Sequence, residues 1–346
     1  MTEPQVRPRD PRTGVTGNER TTMHAVVYSE YGGPGVLKYT RVDRPEPAAD
    51  EVLIRIVATS IGAGDWHLMR GTPFIIRLVY RGYRRPKHPI LGVDIAGRVV
   101  EVGRAVTTVQ SGDEVVCDLS KSGFGGFAEY VCVPEQSVVP KPAGVSFEAA
   151  ATVPTSGGAA LQALRDAGGL RAGESVLING ASGGVGTFAV QIAKYLGADV
   201  TAVCSTAKVE RVRSIGADHV VDYTQEDVTS GDRQFDLIVD TAGSHSLREW
   251  GRVLSRSGRY VMIGGPTRRF LTAMTLGPVL SALGGRRYSG FTLNPDPDDL
   301  QLLGTLLDSG DVTPAIDRQY SLQQVPEAIR YLEAGRAAGN VVVRSA

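Results

Sequence analysis

Cysteine is scarce in this chain. Three occur in 346 residues, Cys117, Cys132 and Cys204, an odd and scattered set that excludes a disulfide framework and fits a reducing cytoplasm. A cytoplasmic location is therefore expected. Net charge is missing too: 37 Lys and Arg balance 37 Asp and Glu, which leaves no overall field to recruit nucleic acid or an anionic membrane. Neither partner is expected. No apolar run approaches membrane-spanning length, and the N-terminus lacks a hydrophobic signal core. With 42% hydrophobic and 21% charged residues, an ordinary globular protein remains, long enough for two domains.

Glycine is plentiful, at 42 residues, and its most informative placement follows an apolar run. Ser175-Val176-Leu177-Ile178 ends in Asn179-Gly180-Ala181-Ser182-Gly183-Gly184-Val185-Gly186, and an amphipathic stretch from Thr187 to Leu196 follows. Strand, glycine turn and helix start together form a dinucleotide phosphate cradle. Glycines 180, 183 and 186 permit the tight turn, the approach to a pyrophosphate and the packing of helix on strand. The helix points its first amides at the anion. A plain strand-to-helix turn is the competing reading. The sequel favours the cradle: apolar strands at Asp199–Val203, Val220–Asp222, Phe235–Asp240 and Arg259–Gly265 alternate with helical stretches at Ala207–Ile215 and Ser246–Leu254. That rhythm predicts an α/β fold with a doubly wound parallel sheet. Gly264, at the last strand's end, is placed with Gly180–Gly186 among the cofactor-binding residues.

The end of the second strand selects the cofactor. An NAD site wants a carboxylate there to accept from the ribose 2′-hydroxyl. Val203-Cys204-Ser205-Thr206-Ala207-Lys208 has none. Ser205 can donate to a phosphate and Lys208 supplies charge, with Arg211 and Arg213 nearby, so NADPH is expected over NADH.

Residues 1–22 are rich in proline, arginine and polar residues without apolar periodicity, and are read as a disordered tail. From Met23 short strands recur between Gly, Pro and Asp turns: His24–Tyr28, Glu51–Ala58, Ile95–Val102, Glu114–Cys117 and Phe127–Val133. They predict a β-barrel-like domain over 23–147. Helical stretches at Phe147–Val153 and Gly158–Ala167 open a cofactor domain over 148–292, whose region 266–290 completes the sheet. Residues 293–346 carry helices at Asp298–Ser309 and Val325–Ala334, then a strand Asn340–Arg344 that returns to the first domain.

In combination and order, several segments resemble the medium-chain dehydrogenase/reductase superfamily, in its zinc-independent quinone oxidoreductase branch. They are Gly92-Val93-Asp94-Ile95-Ala96-Gly97-Arg98-Val99-Val100-Glu101-Val102-Gly103, Gly112-Asp113-Glu114-Val115, Gly126-Phe127-Ala128-Glu129-Tyr130, the Gly180–Gly186 turn, and Gly216-Ala217-Asp218 before Val221-Asp222-Tyr223. The resemblance covers nearly everything from Met23 onward. It implies a GroES-like catalytic domain, closed by the C-terminal segment, with a Rossmann cofactor domain inserted. Where zinc members carry cysteine, Gly62 stands three residues before Asp65; where they carry Gly-His-Glu, this chain has Gly92-Val93-Asp94. Neither glycine nor valine coordinates a metal, and the four-cysteine lobe is absent. No metal site is expected.

Without a Lewis acid, reducing an activated acceptor is easier than oxidising an alcohol. The resemblance accordingly implies NADPH-dependent hydride transfer to quinones or α,β-unsaturated carbonyls. It matches Gly62-Ala63-Gly64-Asp65-Trp66-His67 to the loop flanking the nicotinamide, which makes Asp65, Trp66 and His67 the candidate catalytic residues. Trp66 could stack on a flat substrate and His67 could donate a proton. Alternatively Trp66 fills core and Asp65 holds the loop by accepting backbone amides. Tyr223 matches a position near the adenosine phosphate. Asn340 stands where lysine is common and retains hydrogen-bonding capacity toward the cofactor. The chain departs from the pattern at Gly62 (often asparagine) and Ala159 (often threonine), and Gly71-Thr72-Pro73-Phe74 offers no tyrosine acid. The departures at Gly62 and Ala159 keep open an NADPH-binding sensor or structural protein with little turnover; an NAD(P)-dependent alcohol dehydrogenase-like enzyme is a further alternative. Family analogy also implies a homodimer through edge strands near Arg287–Thr292.

Overall fold

The computed structural model describes residues 21–80 and 82–345; most of the expected tail therefore lies outside the described residues. Thr22, assigned to that tail, instead opens the first strand. β1 (Thr22–Val27) and β2 (Lys38–Asp43) pair antiparallel. β3 (Glu51–Ile61), α1 (Ala63–Arg70), α2 (Ile75–Val79), β4 (Asp94–Val102), β5 (Glu114–Asp118), β6 (Tyr130–Pro134) and β7 (Val138–Pro140) follow. Then come α3 (Phe147–Ala150), α4 (Gly158–Gln162), β8 (Ser175–Asn179), α5 (Gly184–Tyr195), β9 (Asp199–Cys204), α6 (Val209–Ser214) and β10 (His219–Asp222). β11 (Phe235–Asp240), α7 (Leu247–Val253), β12 (Leu254–Met262), α8 (Thr267–Leu283) and β13 (Arg287–Gly290) complete the middle of the chain. α9 (Pro297–Asp308), β14 (Ile316–Ser321), α10 (Val325–Glu333) and β15 (Asn340–Arg344) close it.

Beside the small β1–β2 sheet, two larger sheets organise these elements, giving the expected α/β architecture of a GroES-like part and a Rossmann part. The first, in the order β14-β15-β3-β4-β5-β7 with β6 also on β3, is mostly antiparallel. β15 reaches it from the far end of the chain, with Val341 opposite Ile61. The second is parallel throughout, in the order β10-β9-β8-β11-β12-β13. β8, β11 and β12 bury nearly every apolar side chain because helices cover both faces of the sheet. α5 lies on one face, where Phe188, Val190, Ile192 and Ala193 join Val176, Ile178 and Val239 in one core. Trp250 of α7 packs on the other face with Leu177, Ile238 and Tyr260.

Three local expectations need correction. Residues 271–283, expected to help complete the sheet, form most of α8, whose small buried residues Ala273 and Gly277 lie four apart and let the helix rest on Tyr288. Only Arg287–Gly290 joins the sheet. In the stretch 147–167 the first helix stops at Ala150, residues 151–152 turn, and the second helical run begins at Val153 with π-turns over Val153–Gly157 and Ala163–Ala167, so neither expected helix is plain. Phe127 and Ala128 do not extend β6 but hydrogen-bond to Leu91 and bridge Ala25, respectively.

Candidate active site between the two sheets

The parallel sheet changes winding direction between β8 and β11, so its carboxyl edge opens a crevice there. Asn179 and Asp240 end those strands as register partners, joined by an Asn179 Nδ2–Asp240 Oδ1 hydrogen bond of 2.7 Å. Asp240 is fully buried and also accepts from the Ala242 and Gly243 amides, the Trp250 indole N–H and the Tyr260 hydroxyl. This carboxylate fixes the crevice wall. Sequence reasoning passed over it; its signal was an acid closing the apolar run Leu237-Ile238-Val239.

The turn leaving Asn179 is shaped by exclusion. Gly180 has φ +80°, and a Cβ there would meet Thr241 Oγ1 at 2.3 Å. At Gly184 a Cβ would come within 2.7 Å of Asn340 Oδ1 and 3.1 Å of Ser156 Oγ. Ala181 and Ser182 are buried in the turn. Gly183 is the N-cap of α5 and makes no side-chain cap. The first amides of α5, at Gly184, Val185 and Gly186, consequently point out of the helix toward the crevice. Gly264 follows β12 and lies near the Thr241 carbonyl, on the same edge as the turn.

Asn340 comes to this helix start from the other sheet. Its Oδ1 accepts from Ser156 Oγ at 2.8 Å, and its backbone amide donates to the Ala315 carbonyl. Ser156 belongs to the π-turn before α4, and the neighbouring Thr155 donates through its hydroxyl and amide to Asp94. Ser60 Oγ donates to the same carboxylate at 2.9 Å. Asp94 stands directly across from Asp118 in the β4–β5 ladder. Burial, and then Asp118, push the Asp94 carboxyl well above the usual range. Burial also raises Asp118, against the hydrogen bonds from Ser120. One oxygen of Asp118, Oδ2, is buried without a partner. Ser156, Thr155 and Asp118 were not foreseen.

At the second strand's end the structure qualifies the picture. Ser205 is half-buried, and its side chain does not cap the turn that follows it. Lys208 Nζ donates to the Ala337 carbonyl at 2.8 Å, three residues before Asn340. Arg211 turns to Ile316 and Asp317, and Arg213 to Glu210, so neither stands free at the crevice. Tyr223 is exposed, its amide bonded to Cys204. Asp222, at the end of the adjoining strand, has its oxygens taken up by Thr206 and Thr224.

α1 starts two residues beyond Ile61, hence beside Asn340's strand. Asp65 is buried and accepts from the Gly62 amide at 2.8 Å and the Gly92 amide at 3.2 Å. It holds the loop, the second of the two readings its sequence allowed. Burial pushes its carboxyl up to about 7 against those two amides. Trp66 stacks on His67 with ring centroids 3.7 Å apart. His67 Nδ1 meets the Thr72 carbonyl at 2.8 Å, so Nδ1 carries the proton. Burial lowers the ring's pKa, and in the neutral form Nε2 is an acceptor. As a proton donor His67 is therefore poorly set. Among the described residues no group of three or more His, Cys, Asp or Glu side chains could hold a metal ion.

A family profile described as an alcohol dehydrogenase GroES-like domain matches residues 48–143, and one described as a zinc-binding dehydrogenase matches 215–343. The chloroplast envelope quinone oxidoreductase homolog of Arabidopsis thaliana is 32% identical over 93% of this chain and 98% of its own length. The chloroplastic NADPH-dependent alkenal/one oxidoreductase of the same plant is 32% identical over 93% of this chain and 79% of its own length. The quinone oxidoreductase structure from Coxiella burnetii superposes with a TM-score of 0.83 at 29% identity, covering 94% of this chain and 100% of that one. The cytoplasmic expectation is overturned by these similarities, because the two plant relatives carry chloroplast names; a shortage of cysteine excludes disulfides but does not separate one reducing compartment from another.

Proposed function

Because the chain belongs to the medium-chain dehydrogenase/reductase superfamily, in its quinone-oxidoreductase-like branch, we propose that it reduces quinones or enones, uses NADPH and works without a metal. The observation that carries this reading is the meeting of Gly184, Ser156 and Asn340 at the start of α5. It leaves no room for a Cβ, and outward amides remain to receive a diphosphate. A bound NADPH supplies hydride to the acceptor.

The remaining work falls to the chain. Gly184, Val185 and Gly186 amides hold the diphosphate, and Asn340 with Ser156 fixes the helix start against the catalytic sheet. Ser205 and Lys208 receive the 2′-phosphate, and Tyr223 flanks the adenosine. Asp65 sets the α1 loop, and the Trp66 ring offers an apolar wall to a flat acceptor. The positions that bind zinc in other members are Gly62 and Val93, which have no ligating atom. The cofactor part is taken as 148–292 and the catalytic part as 23–147 with 293–346.

The same reading makes the protein a homodimer through β13. That strand ends the parallel sheet, and beside it α8 exposes Leu276, Val279 and Leu283, a strand edge and apolar face that a second copy would cover. Sedimentation velocity giving a monomer would end that part.

The test of function is calorimetric titration with NADPH, followed by NADPH consumption with a panel of quinones and enones in the presence of a chelator. Binding and chelator-insensitive turnover are expected. No NADPH uptake by folded protein would refute the proposal. Binding without turnover on any acceptor would favour a sensor, a reading to which the acceptor state of His67 Nε2 lends some weight.

A further inference from the structure

The even overall charge conceals one unbalanced segment. From Trp66 to Val93 the sequence has no aspartate or glutamate, while Arg70, Arg77, Arg81, Arg84, Arg85 and Lys87 all fall there. Arg70 is held by Glu333 through two contacts, at 2.6 and 3.1 Å. Arg77 lies over the Tyr31 ring, 4.4 Å from its centroid. Arg84, Arg85 and Lys87 are exposed and meet no carboxylate among the described residues.

The same segment is apolar on its outer side. Within α2, Ile76 turns inward against the core, and Tyr80, just past its end, packs on Phe124 with centroids 5.3 Å apart. That is all the interior uses. Ile75, Leu78 and Val79, at helical spacing on the other side, are 53%, 51% and 64% exposed, and the flanking Phe74 and Tyr83 are 52% and 59% exposed. Phe74 and Tyr83 pack edge to face, and Tyr31 Oη donates to the Gly82 carbonyl at 2.6 Å. These contacts tie Phe74 to Tyr83 and the backbone at Gly82 to Tyr31.

We propose that this face, from Phe74 to Lys87, docks on an anionic lipid surface. An apolar ridge bordered by unpaired cations, with no anion among them, matches a bilayer whose headgroups are negative and whose interior takes the ridge. A second copy is a poor occupant, since it would set arginine against arginine. One consequence rests on the function proposed above: α1 of the candidate site immediately precedes this face, so docking brings the site toward the bilayer in which an apolar quinone dissolves. The lipid binding itself does not depend on that function.

The full chain is to be sedimented with phosphatidylcholine vesicles and with phosphatidylcholine–phosphatidylglycerol vesicles. Preference for the anionic vesicles of about tenfold or more, falling with salt, is expected. Phe74→Ser with Leu78→Ser should reduce it by about tenfold or more, and separately Arg84→Gln with Arg85→Gln by about twenty-five-fold, near fivefold per arginine. Unchanged NADPH affinity and circular dichroism would show those variants folded. Equal recovery with both lipids, or variants that bind like the parent, would overturn the proposal. So would a loss of self-association in Phe74→Ser with Leu78→Ser, which assigns the face to a second copy. If NADPH-dependent quinone reduction survives while vesicle binding fails, only the docking falls.

Discussion

Asp240 offers the sharpest test of how the crevice is held. Its Oδ1 takes three donors, from Asn179, Ala242 and Gly243, at 2.7, 3.1 and 2.7 Å. Its Oδ2 takes the Trp250 indole at 3.0 Å and the Tyr260 hydroxyl at 2.8 Å. Asp240→Asn keeps one oxygen, which the three donors at Oδ1 will claim. The new amide then faces Tyr260, whose hydroxyl can rotate to accept, and the indole N–H, which cannot. One buried donor left unsatisfied costs about 1–3 kcal/mol, and three charge-assisted bonds made neutral add roughly 1–2 kcal/mol. The sum, about 2–5 kcal/mol, is a large share of a native stability of about 5–15 kcal/mol. A fall in Tm of roughly 10 °C should follow. Because Trp250 is one of only two tryptophans, fluorescence-detected melting reports on the site directly. The decisive comparison is Asp240→Asn combined with Trp250→Phe, which removes the orphaned donor. The double variant should lose clearly less than the sum of the two single losses. A single variant melting within about 2 °C of the parent, or strictly additive losses, would refute the reasoning.

Asn340→Ala removes the acceptor for Ser156 at the start of α5, and NADPH Kd measured by calorimetry should rise about tenfold. Lys208→Ala should raise the NADPH Kd by about tenfold while leaving that for NADH nearly unchanged; equal losses for both would remove Lys208 from phosphate recognition. Asp65, Asp94 and Asp118 all have carboxyls raised in the folded state. Their contribution to stability is therefore complete below the ordinary carboxylate range and is lost as pH rises through the folded values, for Asp65 at about 7. Denaturant unfolding should show the protein weakening between about pH 5 and pH 8, and Asp118→Asn, which leaves no charge to bury, should flatten that slope. Parallel pH dependences in parent and variant would contradict the burial argument.

Features that depend on neighbouring residues were legible in the sequence. The turn after Ile178 needs a positive φ at Gly180, and the spacing of Gly180, Gly183 and Gly186 records that demand locally. The alternation of apolar strands with helical stretches likewise followed from period alone, which is why β8 to β12 could be placed before their contacts were known. The stretch 271–283 failed for the same reason: a run apolar on most sides has no period to distinguish strand from helix, and Tyr288 decided it by packing against Ala273 and Gly277. What the tertiary structure alone determined is contact between distant positions. Ser156 and Asn340 are 184 positions apart, and nothing in either neighbourhood says that they meet at Gly184. Asp94 and Asp118 became a facing pair only through strand register, and their raised carboxyls follow from the water that packing excludes. Lys208 could be read as a charge, but its direction was set when β15 returned to the first sheet and brought the Ala337 carbonyl within reach. Backbone preference and periodicity are properties of a few consecutive residues, whereas burial and polar pairing exist only once the whole chain has closed around them.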